Sequence, residues 1–176
     1  MRTERVKDGG PIYSQALKWA ADLGVSFCVH DSVEEIPRAV LSKMLGDVGY
    51  DNKTVHITVD SEVSLHCLHE LCHWVVATPA ERTMLNWGID SHEPDPEDPR
   101  RWLEAEGAAS ILNVGILMLW GYGAEASYIS VQLDGGLDFP TLEECEELAA
   151  WFLEGGRTWK DYLEVFGGLD ASVAED

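Results

Sequence analysis

Positive charge is what this chain has least of: 12 Lys and Arg stand against 32 Asp and Glu, for a net charge of −20. A protein that grips phosphates needs a basic patch, so this imbalance excludes nucleic-acid binding by phosphate neutralisation and argues against adhesion to anionic membranes. An acidic surface favours solubility, and the charged partners it would attract are basic peptides or a basic protein. A long apolar run is also missing, because Ile111 to Trp120 falls well short of the roughly 20 residues that span a bilayer. Residues 1–10 carry charge but no apolar core, so no secretory signal is expected. The four cysteines, Cys28, Cys67, Cys72 and Cys145, contain no CxxC pair, and three fall inside apolar helix or strand patterns. They read as small buried hydrophobes rather than a disulfide framework. These absences make a cytoplasmic location the expectation.

What is present is enough apolar material for a core. A hydrophobic fraction of 45% with seven Trp excludes a disordered chain, and 176 residues suit one well-buried domain. No internal repeat and no interdomain linker is visible. The expectation is a single domain over 1–176 with loose ends at 1–10 and 167–176.

Within Val63 to Ala77, a run of apolar residues and good helix formers, lies His69-Glu70-Leu71-Cys72-His73. On a helix, positions 69 and 73 are one turn apart on the same face, where two imidazoles can share one metal ion. Glu70 sits about 100° round the axis from His69, so it can reach a water on that metal without being a ligand. This is the HExxH pattern of zinc peptidases. Three protein ligands and an open fourth position define hydrolytic zinc, whereas four protein ligands define structural zinc. A zinc-held water has a pKa near about 7, and Glu70 would take its proton as the peptide carbonyl is attacked, then hand it to the leaving amine. The metzincin continuation is excluded, because Val76 stands where that pattern has Gly and Pro79 where it has a ligand. His66 reads as a second-shell or core His and Cys72 as a packed residue.

Around the motif the periodicities alternate. Pro11 to Leu23 repeats apolar residues at helical spacing and stops at Gly24. Val25 to His30 reads as a half-buried strand, Arg38 to Leu45 as a helix after the interruption at Pro37, and Thr54 to Val59 as a strand of period two. That last strand, just before the motif helix, suits the edge of a sheet, where a substrate peptide would add as another strand. Residues 88–99 hold three prolines and five carboxylates and read as a loop. From Arg100 the pattern is helical and becomes apolar nearly all round from Ile111 to Trp120, which predicts a helix through the core. A short helix or extended piece is expected between Gly121 and Asp134. Thr141-Leu-Glu-Glu144 is a capping box opening a helix to Glu154, and Thr158 opens another to Phe166.

In this order, with Ala20-x-x-Leu23-Gly24-Val25, Val55-x-Ile57-x-Val59, the HExxH motif and Glu104 to Ala109, the chain resembles the ImmA/IrrE family of small zinc peptidases from about Ala16 through Leu112. The resemblance implies a minimal, gluzincin-like α+β fold, mostly helical, with a small sheet whose edge strand precedes the HExxH helix. It also implies Zn2+ as cofactor, a protein substrate, a cytoplasmic setting and an origin in phages or mobile elements, where several members inactivate a repressor. Cys72 replaces the family's Gly before the second His, and Ala108 and Ser110-Ile111 replace the Asn and Phe-Ala that tend to follow its third ligand.

Four residues compete for that third ligand: Glu104, Glu106, Asp90 and His92. Asp90 and His92 lie in the Pro-rich segment, whereas a tight site needs rigid supports. Glu104 and Glu106 share a helix but point about 200° apart, so one at most faces the metal. Glu106 lies on the stripe with Trp102, Ala109 and Asn113, beside small residues that permit close helix approach, and a carboxylate on an apolar stripe is costly unless a charge or metal meets it. The expected set is therefore His69, His73 and Glu106 as ligands with Glu70 as general base. A protein of another class remains open: a catalytically silent, metal-stabilised acidic protein that regulates or inhibits a basic partner.

Overall fold

The computed structural model describes residues 10–41, 48–58, 63–84, 86–87, 100–133 and 139–166. Among them it is α+β: six α-helices and a three-stranded sheet. No helix among the described residues is long and apolar enough to cross a membrane. The chain forms two compact units, one of residues Met1–Trp74 with Pro79–Glu93, the other of Val75–Thr78 with Pro94–Asp176.

In the first unit, helix α1 (Pro11–Leu23) starts on a proline whose missing N–H is no loss at that position, and buries Ile12, Ala16 and Ala20 at helical spacing. Gly24, at φ +69°, takes the left-handed conformation that closes the helix, with its N–H on Ala21 O and the next N–H on Ala20 O. The chain turns into strand β1 (Ser26–His30), which lies against α1. Strands β2 (Gly49–Asp51) and β3 (Thr54–Thr58) form a hairpin, and Asn52 at its turn has φ +50°, a value Asn tolerates better than most residues. Val55, Ile57 and Tyr50 point to the buried face, as the period-two pattern of β3 requires.

Two expectations fail here. The strand before the motif helix is not an edge: the sheet order is β1-β3-β2, with β1 parallel and β2 antiparallel to β3. β1 covers one hydrogen-bonding side of β3 along Thr54–Thr58 and β2 the other along Thr54–His56, so β3 is a central strand. Its alternation reported one buried face, which a central strand can also show, and nothing in the residues of β3 counts its neighbours. The helix expected over Arg38 to Leu45 is absent in its described part. Arg38 to Val40 form a turn in which the Val40 and Leu41 N–H groups both reach Pro37 O, and Leu41 then bridges to Gly49. The pull of that bridge toward the sheet outweighs a short segment's helix propensity. Residues 42–47, like Val59, the 88–99 loop with Asp90 and His92, and the two termini, lie outside the described residues.

Helix α2 (Val63–Val76) carries the HExxH motif. In the second unit, α3 (Arg100–Leu119) is the central element, and every residue from Gly107 to Leu117 is buried. Helices α4 (Gly123–Leu133), α5 (Leu142–Gly155) and α6 (Trp159–Phe166) pack around it. The Thr141 and Glu144 capping box is present, each side chain meeting the other's backbone N–H. Phe152 of α5 stacks on Tyr162 of α6 at 5.9 Å between ring centroids.

Helices α3 and α5 approach closely at Gly115. A Cβ there would fall 2.0 Å from Cys145 O and 2.5 Å from the Ala149 side chain. Backbone of α5 cannot yield as a flexible side chain would, so Gly115→Ala must push the two helices apart. We expect it to lower unfolding free energy by about 1–3 kcal/mol or more, the range for overpacking. Gly123→Ala, where the added carbon meets only Met118 Sδ at 3.8 Å, should change stability by less than about 0.5 kcal/mol. Urea denaturation of the two variants checks the contrast.

Candidate metal centre

Helix α2 sets His69 and His73 one turn apart, and the two rings meet edge to face at 4.7 Å between centroids. Their Nε2 atoms lie 3.1 Å from each other. Two nitrogens held tetrahedrally by one zinc at its usual bond length would be about 3.3 Å apart. The spacing therefore suits two ligands of one metal ion. Without metal, the same approach accommodates one N–H···N hydrogen bond between neutral rings. His73 is buried and His69 half-buried, which leaves the pair one open side.

Glu70 is only 6% exposed. Burying a carboxylate without a donor costs several kcal/mol, and here the Tyr50 hydroxyl donates to its Oε2. Tyr50 is itself fixed on every side. Its backbone N–H donates to Asn86 Oδ1 at 2.9 Å, and its ring packs on Trp87 at 4.4 Å. Trp87 in turn donates its indole N–H to Asn52 O at 2.6 Å and meets Trp74 of α2 at 4.9 Å. Asn86 and Trp87 both take left-handed backbone angles, φ +49° and +48°. That is a strained state for a bulky residue such as Trp, held by surrounding contacts and common where a site must be positioned. Arg82 completes the frame by donating to Trp74 O at 2.9 Å and covering the Trp74 ring.

The cysteines beside the motif stay out of the chemistry. Cys67 and Cys72 are fully buried, and burial first, then the charge of Glu70, raises both thiols well above their ordinary range. Burial thus favours the neutral thiol in both, and neither cysteine belongs to a metal-ligand group among the described residues. His66, expected in the second shell or core, is exposed.

Glu104 and Glu106 both lie on α3 in the second unit, half-buried, and Glu106 has its Oε2 shut off from solvent. The C-terminal helices of that unit also carry a groove lined by Phe139, Pro140, Leu148, Trp151, Tyr162 and Phe166, with Glu144 and Glu147 at its side and neither His nor Cys in its wall.

Tyr50, Asn86 and Trp87 were invisible in the sequence as site residues, since they act on Glu70 from 16 to 20 positions away and through a turn no local pattern announces. Tyr50→Phe should cost about 1.5–3 kcal/mol, the range for a hydrogen bond to a charged group. In a Glu70→Ala background the same change should cost far less, because the carboxylate it serves is gone. Equal losses in both backgrounds, read from denaturation curves, would show that the two side chains are not coupled. No protein-family model, no curated protein and no solved structure matches the chain.

Proposed function

We propose that this protein is a zinc-dependent endopeptidase whose ligands are His69, His73 and Glu106 and whose general base is Glu70. The observation that carries the reading is the 3.1 Å approach of the two Nε2 atoms on one face of α2, with a buried carboxylate held beside them by a tyrosine. Glu106 comes from the stripe argument on α3 and from the seclusion of its Oε2. Zinc, if held by these residues, would supply Lewis acidity to a water and to the scissile carbonyl. Glu70 accepts the water's proton and returns it to the leaving amine, a shuttle that needs one carboxylate oxygen free to exchange protons. Tyr50 occupies Oε2, so Oε1 is the oxygen assigned to that work. The substrate class is a protein or peptide, and the −20 charge favours one rich in Lys or Arg.

A competing reading is a metal-stabilised acidic binding protein without activity, which the deep burial of Glu70 also suits. Zinc content and ligand variants test the metal site that both readings share, and the Glu70→Gln variant separates the two. Purified protein should contain about one zinc bound by the helix pair, and His69→Ala should lose it. Glu70→Gln should keep that zinc while cleavage of a casein or a Lys-rich peptide library falls by a factor of 100 or more, on the order of a lost general base. Undiminished cleavage in that variant removes the mechanism, and a cellular effect that survives it favours the binding protein. Glu106→Gln should weaken zinc at least about tenfold and Glu104→Gln should not, with the reverse result moving the third ligand to Glu104.

Charge steering gives a separate expectation. Cleavage of a basic peptide should slow as salt is raised, through KM rather than kcat, because screening shortens the reach of the acidic surface to about 8 Å at physiological ionic strength. Identical KM in low and high salt would show that the charge serves solubility alone.

A further inference from the structure

Of the four cysteines, Cys67, Cys72 and Cys145 are fully buried and Cys28 is only half-buried. Cys28 sits on β1 with His30 two residues on, and side chains two apart on a strand share a face. The parallel register places Cys28 directly opposite His56 of β3. All three side chains therefore project from the face opposite Val55 and Ile57, and all three are half-buried. Nε2 of His30 and Nδ1 of His56 are 3.0 Å apart, with ring planes 20° from parallel and 5.3 Å between centroids, so the two nitrogens face each other edge on. One ligand atom from each residue, Cys28 Sγ included, lies within 4.8 Å of the others.

We propose that Cys28, His30 and His56 form a second metal site, which takes Zn2+ through one thiolate and two imidazole nitrogens and leaves a fourth position to solvent. Three features carry this. The donor set is one thiolate with two imidazoles, which selects zinc and its thiophilic neighbours over calcium or magnesium. The nitrogen spacing is close to the roughly 3.3 Å of two ligands on a tetrahedral ion, a tilt of the two rings turns both nitrogens to one point, and Cys28 Sγ lies within 4.8 Å of a ligand nitrogen on each. The donors stand on paired strands of a regular sheet, the kind of rigid support a metal site requires. Binding releases the Cys28 thiol proton to solvent, since the thiolate is the ligand. A bound ion would cross-link β1 to β3, strands joined otherwise by backbone hydrogen bonds and side-chain packing.

The site shares no residue with the α2 pair, and its sulfur gives it a signature that pair lacks. Co2+ added to metal-free protein should produce a near-ultraviolet sulfur-to-cobalt charge-transfer band, bleached by Zn2+. The band should persist in a His69→Ala/His73→Ala variant and vanish in Cys28→Ser. No such band in the natural sequence, or one that survives Cys28→Ser, overturns the proposal. Cobalt bound without the band leaves the α2 site standing alone, and the band with the same amount of Co2+ bound in the natural sequence and in the α2 variant leaves this site standing alone. A measurement on the unaltered protein guards against misfolded variants: Zn2+ should slow iodoacetamide labelling of Cys28 at least about tenfold, read by peptide mass spectrometry. Unchanged labelling of Cys28 at saturating Zn2+ refutes the site.

Discussion

A carboxylate in the middle of an apolar helix is the constraint on which the first unit turns. Glu70 is nearly out of water, and a charge there is tolerable only if a donor is delivered to it. The donor is the Tyr50 hydroxyl, and much of the described structure around it fixes that tyrosine. The β2–β3 hairpin sets its backbone, Asn86 takes its N–H, and Trp87 covers its ring while bridging to Trp74 on the helix that carries Glu70. Asn86 and Trp87 pay in backbone strain for this closure, and that strain is sustainable only because two hydrogen bonds and two aromatic contacts end there. A core built only for stability would place a Leu at position 70 and relax the turn.

The parts of the fold that follow from local rules were legible. Proline at the start of α1, glycine at its end, the capping box of α5 and the 3.6-residue periodicity of α2 and α3 each act within a few residues of chain. The sheet was legible strand by strand and misjudged as a whole. Alternation in β3 says that one face is buried, and it does say so, through Val55 and Ile57. Whether a strand lies at the edge depends on partners that arrive from elsewhere in the sequence, and β3 has one on each side. The turn at Arg38 to Val40 failed for the same reason: Leu41 answers to Gly49, eight residues on, rather than to its own helical neighbours.

The candidate site divides along the same line. His69, Glu70 and His73 are coupled by helix geometry alone, so their spacing was enough to bring them together, and the Nε2 approach agrees. Tyr50 could not be found this way, because an aromatic residue in a strand is most often core, and Tyr50 is indeed core as well as donor. The cysteines teach a finer point. Grouping all of them as buried hydrophobes was right for Cys67, Cys72 and Cys145, whose thiols burial holds protonated, with Cys145 pushed up to about 12. Cys28 differs because a parallel neighbour strand brings His56 opposite it, a pairing that sequence separation hides.

Two histidine pairs in one chain thus meet metal chemistry from different directions. On α2 the rings lie edge to face, one turn apart, in a pocket that also buries a carboxylate and excludes thiolates by keeping the adjacent cysteines protonated. On the sheet the rings meet edge on through their nitrogens, a thiol stands within reach and no carboxylate belongs to the group. Ligand softness would separate the two: the proposed nitrogen and carboxylate set would leave an ion strongly Lewis acidic, whereas a thiolate would donate charge to it and dull its pull on a carbonyl. Under the proposed reading, hydrolysis would belong with the helix pair, beside which Glu70 would take the proton. The Cys28 group has no adjacent base among its ligands, and its chemistry suits holding strands together better than opening a peptide bond.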